Sequence, residues 1–248
     1  MSRDESGERT RAESLAQLGS LFAGFAHEIR NPLSTISLNL QLVEEDLHDA
    51  ETQRDKRTRK RVQVLKSEVA RLQAILDEFL RFARMPELSK EPTDLDAFVR
   101  DLVEFHAPEM KNGGIALRSL SEPRLPRVDV DKAQLRAAIV NLLKNSKEAC
   151  SEGDEVIVTV RRDPNVSGAK VRGVTISVAD TGPGMPAEVR EKAFRPYFST
   201  KKTGTGLGLP TVKRIIEEHG GSVSLSSELG KGTLFTLWLP IAAEGADA

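Results

Sequence analysis

The chain has one cysteine, Cys150, so no internal disulfide can brace it, and a reducing compartment suits it. Aromatic residues make up only 4% of the sequence, with a single Trp and a single Tyr, so the core must be built from Leu, Ile, Val and Ala. No apolar run approaches the roughly 18–20 residues that cross a bilayer. The hydrophilic start, Met1-Ser-Arg-Asp-Glu-Ser-Gly-Glu-Arg9, lacks the apolar core of a secretion signal. Neither charge sign is in excess: 36 Lys and Arg face 37 Asp and Glu, for a formal net charge of -1. That balance gives no global field for nucleic acid or an anionic membrane. A soluble, cytoplasmic chain is expected, with no nucleic-acid partner and no membrane insertion.

What is present is periodicity. Residues 1–13 are charged, carry little pattern and read as a flexible tail. From Leu15 the apolar positions Leu18, Phe22, Phe25, Ile29, Leu33, Ile36, Leu40, Val43 and Leu47 follow at steps of three and four. That is the stripe of a long amphipathic helix. Pro32 has no N–H for the carbonyl of Glu28, so a kink is expected there. The segment 48–61 is almost wholly polar and suits a hairpin loop with the solvated start of a second helix. The stripe then returns at Val62, Leu65, Val69, Leu72, Leu76 and Phe79, and stops at Met85-Pro86. The first domain, residues 14–85, is therefore an all-α antiparallel helical hairpin. One hairpin cannot bury both stripes, and a dimeric four-helix bundle is the natural solution.

Residues 86–93 read as a linker, with Pro86 and Pro92 in polar filling. The second domain spans 94–241, and residues 242–248 form another flexible tail. Thr93 or Asp94 caps a first helix. After Asn112-Gly113-Gly114 a strand runs from Ile115, and Asp131 caps a helix to about Cys150. Strands at 155–161 and 174–179 precede a glycine-rich passage. A helix from Pro210 to His219 then stops at Gly220-Gly221, and two closing strands follow. Helices on one face of a mixed sheet fit this order, which makes the domain an α/β sandwich.

Four stretches carry chemistry. Phe25-Ala-His27-Glu28-Ile-Arg-Asn31-Pro-Leu33 sets an imidazole beside a carboxylate, with an amide one turn on. Asn141 and Asn145 sit one turn apart on a helix; their oxygens suit a hard cation such as Mg²⁺, or they are plain surface residues. Asp180 ends an apolar strand before Thr181-Gly182-Pro183-Gly184. It either accepts from an exocyclic amine of the adenine kind or caps the next segment. Lys201-Lys-Thr203-Gly204-Thr205-Gly206-Leu207-Gly208 leads into the Pro210 helix. Its glycines and the helix N-terminus suit phosphates, and a mobile loop would use the same residues. No Lys-Ser/Thr follows the last glycine, so this is not a Walker A loop. Phe194 and Phe198 either dock that loop as a lid or pack in the core.

In this order and spacing the stretches resemble the sensor histidine kinases of two-component signalling, over residues 14 to 240. Phe25–Leu33 is similar to that family's phosphoacceptor box, and Asn141–Asn145 to its N box. Asp180–Gly184 and Gly204–Gly208 resemble the two glycine boxes, and Phe194–Phe198 the F box. Gly232-Thr233 resembles the start of the last strand, where a Thr stands beside the adenine-binding Asp. The wording of Phe194–Thr200 and of Asn-Leu-Leu-Lys-Asn is nearest the nitrogen-regulation-type branch.

The resemblance implies a GHKL (Bergerat) ATP-binding fold for the second domain, shared with gyrase, Hsp90-type chaperones and MutL proteins. It implies ATP and Mg²⁺, with Asn145 the principal metal ligand and Asn141 assisting. Asp180 would bind the adenine amine, near Thr233. Lys144, Phe198, Lys201, Thr203, Thr205 and Leu207 would line the nucleotide. Gly182, Gly184, Gly204, Gly206 and Gly208 would let the backbone approach it. His27 would take the γ-phosphoryl group with Glu28 as proton acceptor. Asn31 would position a water that dephosphorylates a response regulator receiver domain, the expected partner beside the homodimer. An ATP-binding scaffold or a phosphatase-dominant homologue is the alternative. A different Bergerat ATPase is disfavoured by the His-Glu-x-x-Asn hairpin.

The sequence departs from the family at Ser146, often Ala, and at Pro210, often Ala or Ser; neither change removes an identifiable contact. No sensor domain or membrane span precedes the histidine box, so a signal is expected through the N-terminal helix, a partner or a region outside this sequence. His48 in a loop, His106 after a helix and His219 as a cation at a helix C-terminus have structural readings.

Overall fold

The computed structural model describes residues 29–47, 52–83, 87–163, 173–201 and 204–241. The chain divides into two compact units, residues 1–86 and 87–248.

In the first unit residues 29–46 form helix α1 and Gln53–Ala83 helix α2. Thr52 starts α2: its hydroxyl accepts from the Asp55 N–H (3.2 Å) and donates to the Asp55 carboxylate (2.6 Å). The helices run antiparallel. Arg30 pairs with Asp77 toward one end, and Glu44 pairs with Lys66 and accepts from Gln63 toward the other. The apolar stripe divides between two faces. Leu33, Leu40 and Leu47, each a heptad apart, are half-buried, and Val62 and Val69 opposite them are buried. Ile36 and Val43, and Leu65 and Leu72, are also a heptad apart and stay exposed. The hairpin thus satisfies one seam and leaves a second uncovered. Pro32 lies on the exposed side of α1. The Glu28 carbonyl, on which the expected kink turns, lies outside the described residues. No helix among the described residues is long and apolar enough to cross a membrane.

The second unit runs β1 (Glu91–Thr93), α3 (Leu95–Asn112), β2 (Ala116–Ser121), β3 (Val128–Val130), α4 (Lys132–Ala149), β4 (Glu155–Asp163), β5 (Gly173–Asp180), α5 (Ala187–Lys192), α6 (Gly208–Glu218), β6 (Ser222–Glu228) and β7 (Gly232–Pro240). The main sheet has the order β2-β4-β5-β7-β6; only β2 and β4 are parallel. Alternation decides its faces. Val156, Val158 and Val160 of β4, Val174, Ile176 and Val178 of β5, and Phe235, Leu237 and Leu239 of β7 are all buried. They meet the apolar faces of α3 (Leu95, Val99, Leu102), α4 (Leu135, Ile139, Leu142) and α6 (Val212, Ile215, Ile216). A mixed sheet with helices packed on it is the α/β sandwich that the patterning implied.

Three elements differ from expectation, one of them α5, a short helix inside the passage read only as glycine-rich. Glu91–Thr93, read as the end of the linker, is a strand antiparallel to β3, with Pro92 opposite Asp129 and Thr93 buried. Pro92 is tolerated because the ladder is only two strands wide and open at its edges. His106 was expected to follow a helix, but α3 continues past it through Pro108 to Asn112. The carbonyl that Pro108 deprives of an N–H belongs to Glu104; both residues face solvent, where water replaces the bond. The caps agree with the sequence. Asp94 accepts from the Ala97 N–H (3.1 Å), and Asp131 accepts from those of Ala133 and Gln134 (3.0 Å each).

Candidate functional site

The period of β5 that buries Val174, Ile176 and Val178 sends Asp180 to the same side, toward α4. Asp180 is 8% exposed. Its Oδ1 accepts from the backbone N–H groups of Gly182 (3.2 Å) and Thr233 (3.1 Å), and its Oδ2 accepts from the Ser146 hydroxyl (3.0 Å). A carboxylate offers about four acceptor positions. One position on Oδ2 is therefore left for a donor from outside, which fits a nucleobase amine. Burial pushes the Asp180 carboxyl above its ordinary range, the three hydrogen bonds pull it back, and nearby Asp154 adds to the rise.

Thr233 meets Asp180 because the two are register partners across β5 and β7, and it contributes through its N–H. Its hydroxyl lies 3.1 Å from that of Ser227. Ser227 also accepts from the Met185 N–H (2.8 Å) and donates to the Gly232 carbonyl (2.9 Å). The first glycine segment is thereby tied to the β6–β7 turn. Gly184, at φ +69°, lies so close that a Cβ would stand 2.0 Å from the Glu228 carbonyl oxygen.

On α4, Asn141 and Asn145 are half-buried and Lys144 is exposed. The Lys201 ammonium lies 3.3 Å from Asn145 Oδ1 and 2.5 Å from Glu148 Oε2. Asn145 already presents its oxygen to a cation, which is the chemistry a Mg²⁺ ligand needs. No group of three or more His, Cys, Asp and Glu able to hold a metal exists among the described residues. A Mg²⁺ ion here would complete its shell with phosphates and water.

The second glycine segment is more structural than its wording suggests. Gly206, at φ +71°, packs on the Tyr197–Phe198 backbone, where a Cβ would stand 2.5 Å from the Tyr197 carbonyl carbon. The Tyr197 N–H donates to the Gly206 carbonyl (3.0 Å). The Leu207 side chain is buried in the core, so only its backbone is available to a ligand. Thr205 accepts from the Leu207 N–H (3.3 Å), and Gly208 opens α6, whose first N–H groups suit an anion. Phe194 stands edge-on to the buried Phe235 and is itself half-buried, as is Phe198. Gly204 is exposed.

His27, Glu28 and Thr203 lie outside the described residues. Asn31 is exposed on α1, and its carbonyl accepts from the Thr35 hydroxyl (3.1 Å). His219 differs from expectation. It is buried and makes two bonds that require an uncharged ring: Nδ1–H donates to the Ile215 carbonyl (2.7 Å), and Nε2 accepts from the Asp131 N–H (2.9 Å). A cation at the helix end would lack the acceptor that Asp131 uses.

Sequence reasoning gave Ser227 and Glu148 no role, and noted Ser146 only as a departure without a contact. The signal for Ser146 was present: it follows Leu142 and Ile139 on the buried face of α4, where a hydroxyl must find a partner. Cys150 flanks Gly182, and burial with the Asp180 and Asp154 carboxylates pushes its thiol up to about 11, so it stays protonated. An open hollow of about 430 Å³ between Asp94, Asp96, Arg100 and the 119–125 segment contains none of these residues; it mixes both charge signs without a convergent set.

Residues 17–88 match the His Kinase A (phospho-acceptor) domain. Residues 130–243 match the histidine kinase-, DNA gyrase B-, and HSP90-like ATPase family. The sensor histidine kinase ZraS of Escherichia coli K12 is 36% identical over 235 residues, covering 94% of this chain and 48% of ZraS. Sporulation kinase C of Bacillus subtilis is 32% identical over 243 residues, covering 97% of this chain and 53% of that kinase. The chain thus spans about half the length of the curated relatives it matches. Among solved structures, full-length ShkA in complex with AMPPNP superposes with a TM-score of 0.71 at 28% identity, over 92% of this chain and 47% of ShkA. Histidine kinase ThkA in complex with the response regulator TrrA gives 0.64 at 28%, over 95% of this chain and 65% of that one.

Proposed function

We propose that this chain is a two-component histidine kinase, whose phospho-acceptor and ATPase domains it matches in order, and that it phosphorylates its own His27 from ATP. The observation that carries the nucleotide half is the buried Asp180 carboxylate, with three of its acceptor positions filled from within and one left over. The AMPPNP complex of the similar ShkA supports the same ligand.

The chemistry assigns roles as follows. Asp180 accepts from the adenine amine, and the α6 N-terminus with Lys201 meets the phosphates. Asn145 with Asn141 would hold Mg²⁺, which would offset charge on the phosphates. Neutral imidazole, with a reference pKa of about 6.5, is a competent nucleophile near pH 7. A nitrogen of His27 forms the new P–N bond as the bond from the γ-phosphorus to the bridging oxygen breaks and ADP leaves. Glu28 takes the proton from the other ring nitrogen. The phosphoryl group then passes to an aspartate of a receiver domain, a partner class supported by the ThkA–TrrA complex. Asn31, exposed one turn on, positions a water that hydrolyses the regulator's aspartyl phosphate, releasing inorganic phosphate.

The finer assignments belong to the same reading: a homodimer through the exposed heptad positions of α1 and α2, the nitrogen-regulation-type branch, and a cytoplasmic location. The test is autophosphorylation with γ-labelled ATP and Mg²⁺. Acid-labile, alkali-stable label on the wild type and none on His27→Gln is expected. ATP binding without label would instead favour a scaffold or a phosphatase, and label persisting on His27→Gln would place the nucleophile elsewhere.

A further inference from the structure

Ser146 is 1% exposed on the inward face of α4. A serine inside a helix ordinarily turns its hydroxyl back to the carbonyl one turn earlier. This one reaches across to β5 instead and donates to Asp180 Oδ2 at 3.0 Å, 34 positions away in the chain. The Ser146 carbonyl accepts from the Cys150 N–H (2.8 Å) in the regular helical way, so the backbone of α4 is undisturbed. The side chain alone makes the long-range bond.

The bond changes what Asp180 can accept. Gly182 and Thr233 hold Oδ1 through fixed backbone donors, so the tilt of the carboxylate is set on that side. Oδ2 has no backbone donor among these contacts; Ser146 is its sole fixed partner there. With the hydroxyl in place, one lone pair of Oδ2 is taken and one remains. Without it, the oxygen either gathers a water or carries a proton, because burial disfavours its charge. A protonated carboxyl would donate to the carbonyl of a 6-oxopurine while its remaining lone pair could still accept from a 6-amine, so the two bases would no longer be told apart.

We propose that Ser146 is a positioning residue for purine discrimination, its hydroxyl aligning Asp180 so that a single Oδ2 acceptor faces a 6-amino group and turns away a 6-carbonyl. The inference rests on the reading of Asp180 as the adenine acceptor and names the residue that makes it selective. The sequence at this position departs from the small apolar residue that the resemblance led one to expect. The departure therefore adds a donor to the nucleobase end of the site.

The experiment is calorimetric titration of the whole chain with Mg·ATP and Mg·inosine triphosphate, for wild type, Ser146→Ala, Ser146→Cys and Ser146→Thr. Wild type is expected to prefer ATP. Ser146→Ala should weaken ATP roughly tenfold, the worth of a hydrogen bond to a charged group, and narrow the ATP-to-inosine preference by a similar factor. Ser146→Cys conserves volume with a poor donor and should behave like Ala; it carries the test if Ser146→Ala does not fold. Ser146→Thr keeps the hydroxyl and should restore the preference. Equal weakening of both nucleotides in Ala and Cys would mean a purely structural role and overturn the proposal, as would an unchanged preference. A wild type that binds neither nucleotide overturns the adenine reading itself, an outcome visible before any variant is compared.

Discussion

The N–H of Asp131 donates to Nε2 of His219 at 2.9 Å, joining the start of α4 to the end of α6 across 88 positions of sequence. The other ring nitrogen of His219 is fixed by the Ile215 carbonyl, and the Asp131 side chain holds Ala133, Gln134 and the Ser89 N–H. One buried pair therefore ties together two helices of the nucleotide site and the segment that enters the second unit.

Replacing His219 by leucine should expose the worth of that tie. The Asp131 N–H would be left buried without its acceptor, a loss of about 1–3 kcal/mol. Urea denaturation followed through the single tryptophan, Trp238, would measure it. A midpoint unchanged from wild type would contradict the bonding scheme.

Asp131 itself carries a pH signature. Burial pushes its carboxyl up, but the N–H groups of Gln134, Ser89 and Ala133 bring it below the ordinary range. A carboxyl lowered in the folded state contributes stability that is complete above its unfolded pKa of about 3.9 and fades as pH falls through the folded value. Asp131→Ala should cost about 1–2 kcal/mol at neutral pH, as lost caps do. The gap between variant and wild type should close only as the pH falls below about 4.

Asp180 runs the other way. Its folded carboxyl is raised by burial, so its contribution to stability is present at low pH and lost as pH rises through that raised value. Ionised Asp180 therefore costs stability at neutral pH. Asp180→Asn should fold at neutral pH with a Tm no lower than wild type. Asn Oδ1 can keep the Gly182 and Thr233 bonds, while its amide donates to Ser146. ATP affinity should nonetheless fall at least tenfold, because a donor replaces the acceptor. A variant that melts earlier yet binds ATP normally would reverse both assignments.

Gly232 sits at φ +91° with the Asp180 carbonyl oxygen 1.9 Å from where a Cβ would be. Gly232→Ala should cost about 1–3 kcal/mol from backbone strain alone, and more if the β5–β7 pairing shifts. ATP affinity should fall with it, since Thr233 N–H can no longer be placed on Asp180. Thermal melts with and without ATP would separate the two effects.

The parts legible in the sequence were those set by local chemistry. Asp94 and Asp131 announced their helices, Gly220 the end of α6, and short apolar β-branched runs the strands β4 and β5. What escaped notice depended on partners distant in the chain. The three-residue strand β1 has too little pattern to declare itself, and becomes a strand only because β3 pairs with it. His219 looked like a helix-end cation because its acceptor role depends on Asp131. Ser146 looked neutral because nothing near it in sequence needs a donor; Asp180 does. The glycines at 184 and 206 suggested a ligand, yet their nearest neighbours are other stretches of backbone.

The division of the α1 and α2 stripes into a covered seam and an uncovered one carries a thermodynamic consequence. Ile36, Val43, Leu65 and Leu72 gain little from folding of the hairpin alone. In the proposed homodimer a second chain buries them, so the hairpin's cohesion obeys mass action. Its melting temperature should climb with protein concentration, while that of the second unit stays fixed. Calorimetric scans across a hundredfold dilution series, a span chosen so that mass action contributes roughly 2.7 kcal/mol, should therefore show one transition moving and one standing still.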